Sequence, residues 1–259
     1  SWASRVNWGN FNNAYPYIAI PGHPIAMFYG HIFDGVYQYT DFDKVGESYI
    51  LKDGVPNNGN AREKIQPGDI KFKDINRDGV VNDYDLTIIG NPNPKHIGGF
   101  GNNFQYKNFD LNVFFQWSYG GDVLNANRIE FEGGDPNART SLNMFASFAN
   151  RWTPENQTNE LYRIGGQGPA VYSSRTIEDG SFLRLKTVSL GYRLPNAWLK
   201  KINIKSLRVY ASAQNLITWT RYSGPDPEVS TRPTALTPSF DWSPYPRPRT
   251  LTLGVDISF

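Results

Sequence analysis

The 259 residues include no cysteine, two methionines and three histidines, and no apolar run of the roughly 18 residues that a membrane-crossing helix needs. Without cysteine there is no disulfide framework, no thiolate zinc site and no thiol nucleophile. His23, His31 and His96 have neither the spacing of a zinc pair nor a place beside a glycine-framed serine, which argues against metal hydrolysis and triad chemistry. An excess of one charge is missing too: 26 Lys plus Arg stand against 24 Asp plus Glu, a net charge of +2, so no basic field favours nucleic acid. The missing apolar helix leaves a β-barrel open, because a barrel spreads its apolar residues over alternate positions. The chain opens at Ser1 with neither an initiator methionine nor a charged segment followed by an apolar one, so the expectation is a piece of a longer protein.

Aromatic residues make up 15 % of the chain, and 24 glycines and 18 prolines punctuate it, which is a strand-rich and turn-rich profile. The C-terminal residues alternate strictly: Leu251, Leu253, Val255, Ile257 and Phe259 fall on one face of a strand, and Thr250, Thr252, Gly254, Asp256 and Ser258 on the other. Residues 109–117 (FDLNVFFQW) repeat the pattern with Phe109, Leu111, Val113, Phe115 and Trp117. Residues 206–218 repeat it again, and there Arg208 and Gln214 share the polar face. A soluble core penalises such groups unless each is paired, whereas a water-filled or plug-filled lumen accepts them.

Residues 97–107 form a glycine-laden strand that meets the next one at Lys107-Asn108, implying a tight antiparallel hairpin. Along residues 181–193, Leu183 and Leu185 occupy one parity and Val188, Leu190 and Tyr192 the other, so a β-bulge is expected near Lys186. Residues 26–39, with Met27, Tyr29, Phe33, Tyr37 and Tyr39, are expected to add another strand or two to the wall. Long connections (about 40–95, 120–180 and 219–248) alternate with short ones, as extracellular loops and periplasmic turns do in outer-membrane barrels. With Phe259 at the periplasmic rim, all three long connections fall outside. Residues 141–151 and the turn holding Ala197, Trp198 and Leu199 are spaced for short helices.

One motif carries chemistry. Residues 74–85 read DINRDGVVNDYD, with Asp74, Asn76 and Asp78 at positions one, three and five, Gly79 at six, Val80 at seven, Asn82 at nine and Asp85 at twelve. Ca²⁺ takes several hard oxygen ligands around a sharply turned backbone, and this spacing supplies side-chain oxygens, the Val80 carbonyl and a permissive glycine, as in an EF-hand loop. Aspartate in place of glutamate at position twelve weakens the last ligand. Little marks an entering helix before it, so the expected role of Ca²⁺ is structural; the competing reading is an Asx-rich turn that binds no ion.

Other constellations carry less. Gly98, Gly99 and Gly101 begin a strand instead of opening a helix, so they suit close packing and not phosphate binding. Glu130 and Glu132 have no fixed separation across a scissile bond. No catalytic residue is expected. Trp219, Tyr222, Trp242 and Tyr245, among the prolines of the last long connection, could stack on sugar rings or peptide side chains, but girdle or loop packing is the commoner use, and no substrate-binding residues follow.

Residues 67–125 (PGDIKFKDINRDGVVNDYDLTIIGNPNPKHIGGFGNNFQYKNFDLNVFFQWSYGGDVLN) resemble the C-terminal barrel region of SusC/RagA-like TonB-dependent outer-membrane transporters. Residues 22–38, 182–195 (FLRLKTVSLGYRLP), 207–216 and the terminal LTLGVDISF resemble segments of that family in the same order, so most of the chain is covered. The aspartate-rich loop is itself frequent in such sequences and so belongs to the resemblance. The resemblance implies an all-β fold: an antiparallel transmembrane barrel segment, about the last seven of 22 strands, with long extracellular loops and with the plug and earlier strands supplied elsewhere. It implies an importer of oligosaccharides or peptides in the outer membrane of a Bacteroidetes-type bacterium, with its C-terminus on the periplasmic side. The implied partners are the remainder of the barrel and plug, a SusD-like surface lipoprotein, TonB, the cargo and the lipid bilayer. The alternative reading is a secreted β-sandwich, stabilised by calcium and binding carbohydrate.

Overall fold

The computed structural model describes residues 6–11, 14–133, 142–168, 172–200, 203–232 and 234–259. In chain order the elements are β1 (Val6–Trp8), β2 (Tyr17–Ala19), β3 (Met27–Gly30), β4 (Phe33–Val36), β5 (Phe42–Val45), β6 (Ser48–Leu51), β7 (Ile70–Phe72) and β8 (Thr87–Gly90). Two long strands follow, β9 (His96–Tyr106) and β10 (Phe109–Tyr119), then β11 (Asp122–Asn125), α1 (Asn127–Glu132) and β12 (Ile177–Asp179). The remainder is β13 (Phe182–Arg193), α2 (Asn196–Leu199), β14 (Ser206–Thr220), β15 (Phe240–Asp241) and β16 (Thr250–Ser258). No helix among the described residues is long and apolar enough to cross a membrane. The chain divides into two units, the first made of residues 1–93, 122–178 and 229–244 and the second of 94–121, 179–228 and 245–259.

The second unit is one antiparallel sheet in the order β16-β14-β13-β10-β9, with strands of nine to fifteen residues. Five strands of wall length are present among the described residues, against the expected seven or so. Tyr106 pairs directly with Phe109, and Lys107 turns the hairpin in the left-handed region at φ 52°. The bulge falls where the parity slips: Phe114 faces Thr187 while its neighbour Phe115 faces Leu185, leaving Lys186 as the extra residue on β13. A second irregularity answers it on β14, where Asn215 takes φ 52° and the register steps from Gln214 to Ile217. The bulge is what keeps Leu183 and Leu185 on the same face as Val188 and Leu190.

The first unit corrects the expectation for residues 26–39. They form two short strands: β3 is buried along its whole length, in a small sheet of order β1-β2-β3-β8, and β4 pairs with β7. Both faces of β3 are apolar because both are covered, the pattern of an interior strand and not of a wall strand with one wet face. Tyr17, Phe28, Leu124, Ile129, Tyr172 and Phe240 make one core there, and Val36, Ile70, Phe72, Trp152, Leu161 and Tyr162 another. Residues from all three long connections thus contribute to a folded unit with its own interior.

The expected helix at 141–151 is a 3-10 turn at Ala146–Asn150, and residue 141 itself lies outside the described residues. The one near Trp198 is α2. Glu132 is no catalytic partner of Glu130: it is buried, with its Oε2 2.6 Å from Arg175 Nη1 and 3.0 Å from Arg128 Nε.

Candidate functional site

Cross-strand pairs directly opposite one another share a face, so the register of the five-stranded sheet assigns every side chain to a side. One row runs Leu253, Ala211, Leu190, Leu111, Phe104; the next runs Val255, Val209, Tyr192, Phe109, Tyr106. Beyond the bulge the same face continues with Leu185 and Leu183, Ile217 and Trp219, Phe115 and Trp117. This apolar face is exposed, Leu253 to 85 % and Tyr119, opposite His96, to 53 %. A soluble sandwich would lay a second sheet over such a face, so its exposure removes that reading's main requirement.

Aromatic residues gather at both ends of the apolar face. At one end Phe109 lies 4.7 Å from Tyr192, with Tyr106 alongside; at the other, His96 stacks on Tyr119 at 5.2 Å and accepts a hydrogen bond from Trp117 Nε1 at 3.1 Å. The eleven residues of β10 between these belts, at about 3.4 Å each and tilted by about 45°, span roughly 25 Å, the height of a barrel's apolar band.

The opposite face is polar. Thr252, Ser212, Ser189, Asn112 and Asn103 form one row across all five strands, and the Asn112 amide donates to Asn103. Arg208 reaches across Gly191 on the intervening strand to Asp110, with Nη2 2.6 Å from Oδ2, and donates on its other side to Asp256 at 3.1 Å. A Cβ on Gly191 would stand 2.5 Å from that guanidinium, and one on Gly254 would collide with the Tyr210 ring. Among the early glycines of β9, Gly98 lies beneath the Trp117 indole on the apolar face, and Gly99 lies beneath the Phe114 ring on this one. Arg208 is therefore on the expected polar face and paired, and Gln214 is on the same face and exposed.

A second group on this face was not foreseen from the sequence. Arg184 is only 1 % exposed, and its guanidinium donates to Thr218 at 3.0 Å, Asp226 at 2.6 Å and Glu228 at 3.0 Å. Glu228 also receives Arg247 at 2.6 Å and stands 3.9 Å from Lys186. The carboxylates lie 42 and 44 residues beyond Arg184 in the chain. The only sequence signal was a cation at a polar-face position with the neutral cross-strand neighbours Gln116 and Thr218, followed by acidic residues in the next connection.

All three long connections leave the sheet at one end. His96 pairs with Tyr119, Ser118 with Phe182, Phe182 with Thr220, and the short turns lie at the far end, where Tyr106 meets Phe109.

In the first unit, the aspartate-rich loop is closed by its own amides. Asp74 accepts from the Arg77 and Gly79 amides at 2.6 and 2.8 Å, Asn76 Oδ1 from Asp78 N, Asp78 Oδ1 from Val80 N, and Asn82 Oδ1 from Tyr84 N. Asp85, fully buried, accepts from Ile75 and Asn82. Gly79 takes φ 85°, the turn that position six demands. The donor set has the chemistry for Ca²⁺, since the carboxylate oxygens of Asp74 and Asp78 each accept a single hydrogen bond and keep a second lone pair. Two side-chain amides point at other candidate ligands, Asn76 Nδ2 at Asp78 and Asn82 Nδ2 at the Val80 carbonyl, and would have to turn away. Among the described residues no three or more His, Asp or Glu side chains stand together as a ready metal-holding group. Beside the loop, His31, Asn58, Gly59, Val81, Asn82, Asp83 and Tyr84 line an open cavity of about 550 Å³. Burial pushes the His31 imidazole pKa below its ordinary value, against the opposing pull of the Asp85 and Asp83 carboxylates.

Of the four loop aromatics, Tyr222 is buried, Trp242 packs edge-on to Phe11 at 5.0 Å, Trp219 belongs to the aromatic belt, and Tyr245 is 92 % exposed.

No protein-family model matches the chain. It is similar to TonB-dependent receptor P3 of Formosa agariphila, 36 % identical over 97 % of this chain and 24 % of that receptor. TonB-dependent receptor SusC of Bacteroides thetaiotaomicron is 32 % identical over 76 % of the chain and 18 % of its own length. Among solved structures, that of the RagAB peptide transporter superposes with a TM-score of 0.71 at 25 % identity, covering 99 % of this chain and 24 % of the other. The chain thus spans about a quarter or less of the length of these relatives.

Proposed function

The chain belongs with the SusC/RagA-like TonB-dependent transporters, and on that premise we propose that it forms part of the wall of an active importer in a bacterial outer membrane. The carrying observation is the five-stranded sheet with one predominantly apolar face, bounded by aromatic belts about one membrane apart, and an opposite face rich in hydroxyls, amides and paired charges. The apolar face meets lipid and the polar face lines the lumen. Both outer edges, β9 and β16, have a strand on one side only among the described residues, which suits a wall continued by the rest of the barrel around its plug.

The common exit of the long connections supports placing them outside the cell and the Lys107-Asn108 turn and Phe259 in the periplasm. Cargo is an oligosaccharide or a peptide, taken with a SusD-like surface lipoprotein and driven by TonB; the relatives' names, SusC and the RagAB peptide transporter among them, are the support for this assignment. The test labels single cysteines in the full-length protein in bilayers. A dye on Leu253→Cys is quenched by lipid-borne quenchers and one on Thr252→Cys is not. Quenching at residue 252 with residue 253 open to a water-borne quencher would overturn the wall assignment.

We also propose that the loop at residues 74–85 holds a structural Ca²⁺ through Asp74, Asn76, Asp78, Val80, Asn82 and Asp85. The order of hard donors along the turn supports this reading. Chelation should hasten proteolysis within the loop, and Asp78→Ala should do so even with Ca²⁺ present. Identical cleavage with and without chelator removes the ion.

A further inference from the structure

Arg184 sits on the polar face of the central strand β13, two residues from the end where the long connections leave, yet it is nearly inaccessible to water. A guanidinium in that position is strongly unfavourable unless it is fully paired. Its neighbours across the sheet, Gln116 and Thr218, are neutral, so the charge is met from outside the sheet by residues 224–228 (GPDPE). Pro225 and Pro227 stiffen this stretch, and Asp226 and Glu228, two residues apart, both turn to Arg184. Asp226 Oδ1 also accepts the Glu228 amide at 2.8 Å, fixing one carboxylate relative to the other. Arg247, just before β16, adds a bond to the Glu228 carboxylate and one to its carbonyl at 3.0 Å, and Gln116 Nε2 approaches the same carboxylate at 3.4 Å. Pro227, between Asp226 and Glu228 in the chain, is buried.

We propose that residues 224–228 are a latch: they close the connection between β14 and β16 down onto the polar face at Arg184, and the latch releases for cargo to pass along that face. This rests on the importer reading. The fastening consists of ion pairs, which separate and re-form as units, in contrast to the apolar packing that holds the cores of the first unit. It also joins the root of the last long connection to the wall on both sides, at β13 through Arg184 and ahead of β16 through Arg247.

The test uses the full-length transporter, freed of other reactive cysteines, carrying Arg184→Cys and Asp226→Cys. Before treatment, the double variant should import and should show the heat-dependent gel mobility of a folded barrel. A flexible bifunctional thiol reagent that replaces the ion pair should link the two positions, abolish import, and allow full import again after reduction. Failure to link in a folded barrel shows that the stretch does not lie on Arg184 and overturns the latch. Import undiminished by complete linkage overturns its release. If the unaltered full-length protein, folded and with its partners present, imports neither glycan nor peptide, it is the importer reading that fails, and the linkage yield still decides whether the stretch is seated on Arg184.

Discussion

Glu132 shows how a single buried charge is kept ionised. Burial pushes its carboxyl pKa upward, but the Arg175 hydrogen bond, the charges of Arg128 and Arg175 and the Ser147 hydroxyl at 2.7 Å together outweigh burial and hold it below the ordinary carboxylate range. A carboxyl lowered in the folded state contributes stability that is present above its unfolded pKa, about 4.3, and that is lost as pH falls through the lower folded value. Glu132→Gln leaves Arg175 buried without its counter-charge and should cost about 3 kcal/mol. Hydrogen exchange of the α1 amides in the full-length protein checks both points: faster exchange at neutral pH, and a weaker further loss on acidification than in the unaltered protein. Equal exchange in the two proteins at pH 7 would contradict it. Nothing in the sequence pointed to this pairing, because Arg175 lies 43 residues from Glu132.

Long strands were legible because their rule is short-range. A period of two assigned both faces of β10, β14 and β16, and the slip of parity alone located the bulge at Lys186. The rule failed at residues 26–39, where aromatics on successive positions record burial on both sides and not a lipid-facing stripe. The bulge gives an element-scale prediction. Deleting Lys186 removes the extra residue, so simple alternation by itself then keeps Leu183 and Leu185 on the apolar face and Arg184 on the polar one. The full-length variant should therefore still give a folded, heat-modifiable barrel, whereas deleting Asn112 from β10, which has no extra residue, turns Phe109 and Leu111 to the face opposite Val113 and should not. Loss of folding in the Lys186 deletion, or normal folding in the Asn112 deletion, would mean that parity does not set the faces.

At the scale of the whole molecule, loop length carried more than loop composition. The alternation of long and short connections gave each end of the sheet an identity, but it did not reveal that residues of the long connections build two aromatic-rich cores of their own. Those cores join segments far apart in the chain, as when Tyr17 donates to the Pro238 carbonyl at 2.9 Å, and no local pattern announces such pairs. The sidedness is testable in intact cells expressing the full-length protein. A membrane-impermeant thiol reagent should label Glu47→Cys, in the turn between β5 and β6, at once. It should label Lys107→Cys only after the outer membrane is permeabilised. Reversed labelling would invert the barrel.

The glycines beneath Arg208 and Tyr210 have a bearing on how this wall can diverge between relatives. Neither member of such a pair is free to vary alone: a side chain at Gly254 is admissible only once the ring above it has shrunk, and Gly191 only once the arginine has gone. Change along these strands is therefore ordered in time, with the large residue yielding first and the glycine second. A lineage that has filled the glycine position has lost the route by which the large residue could return.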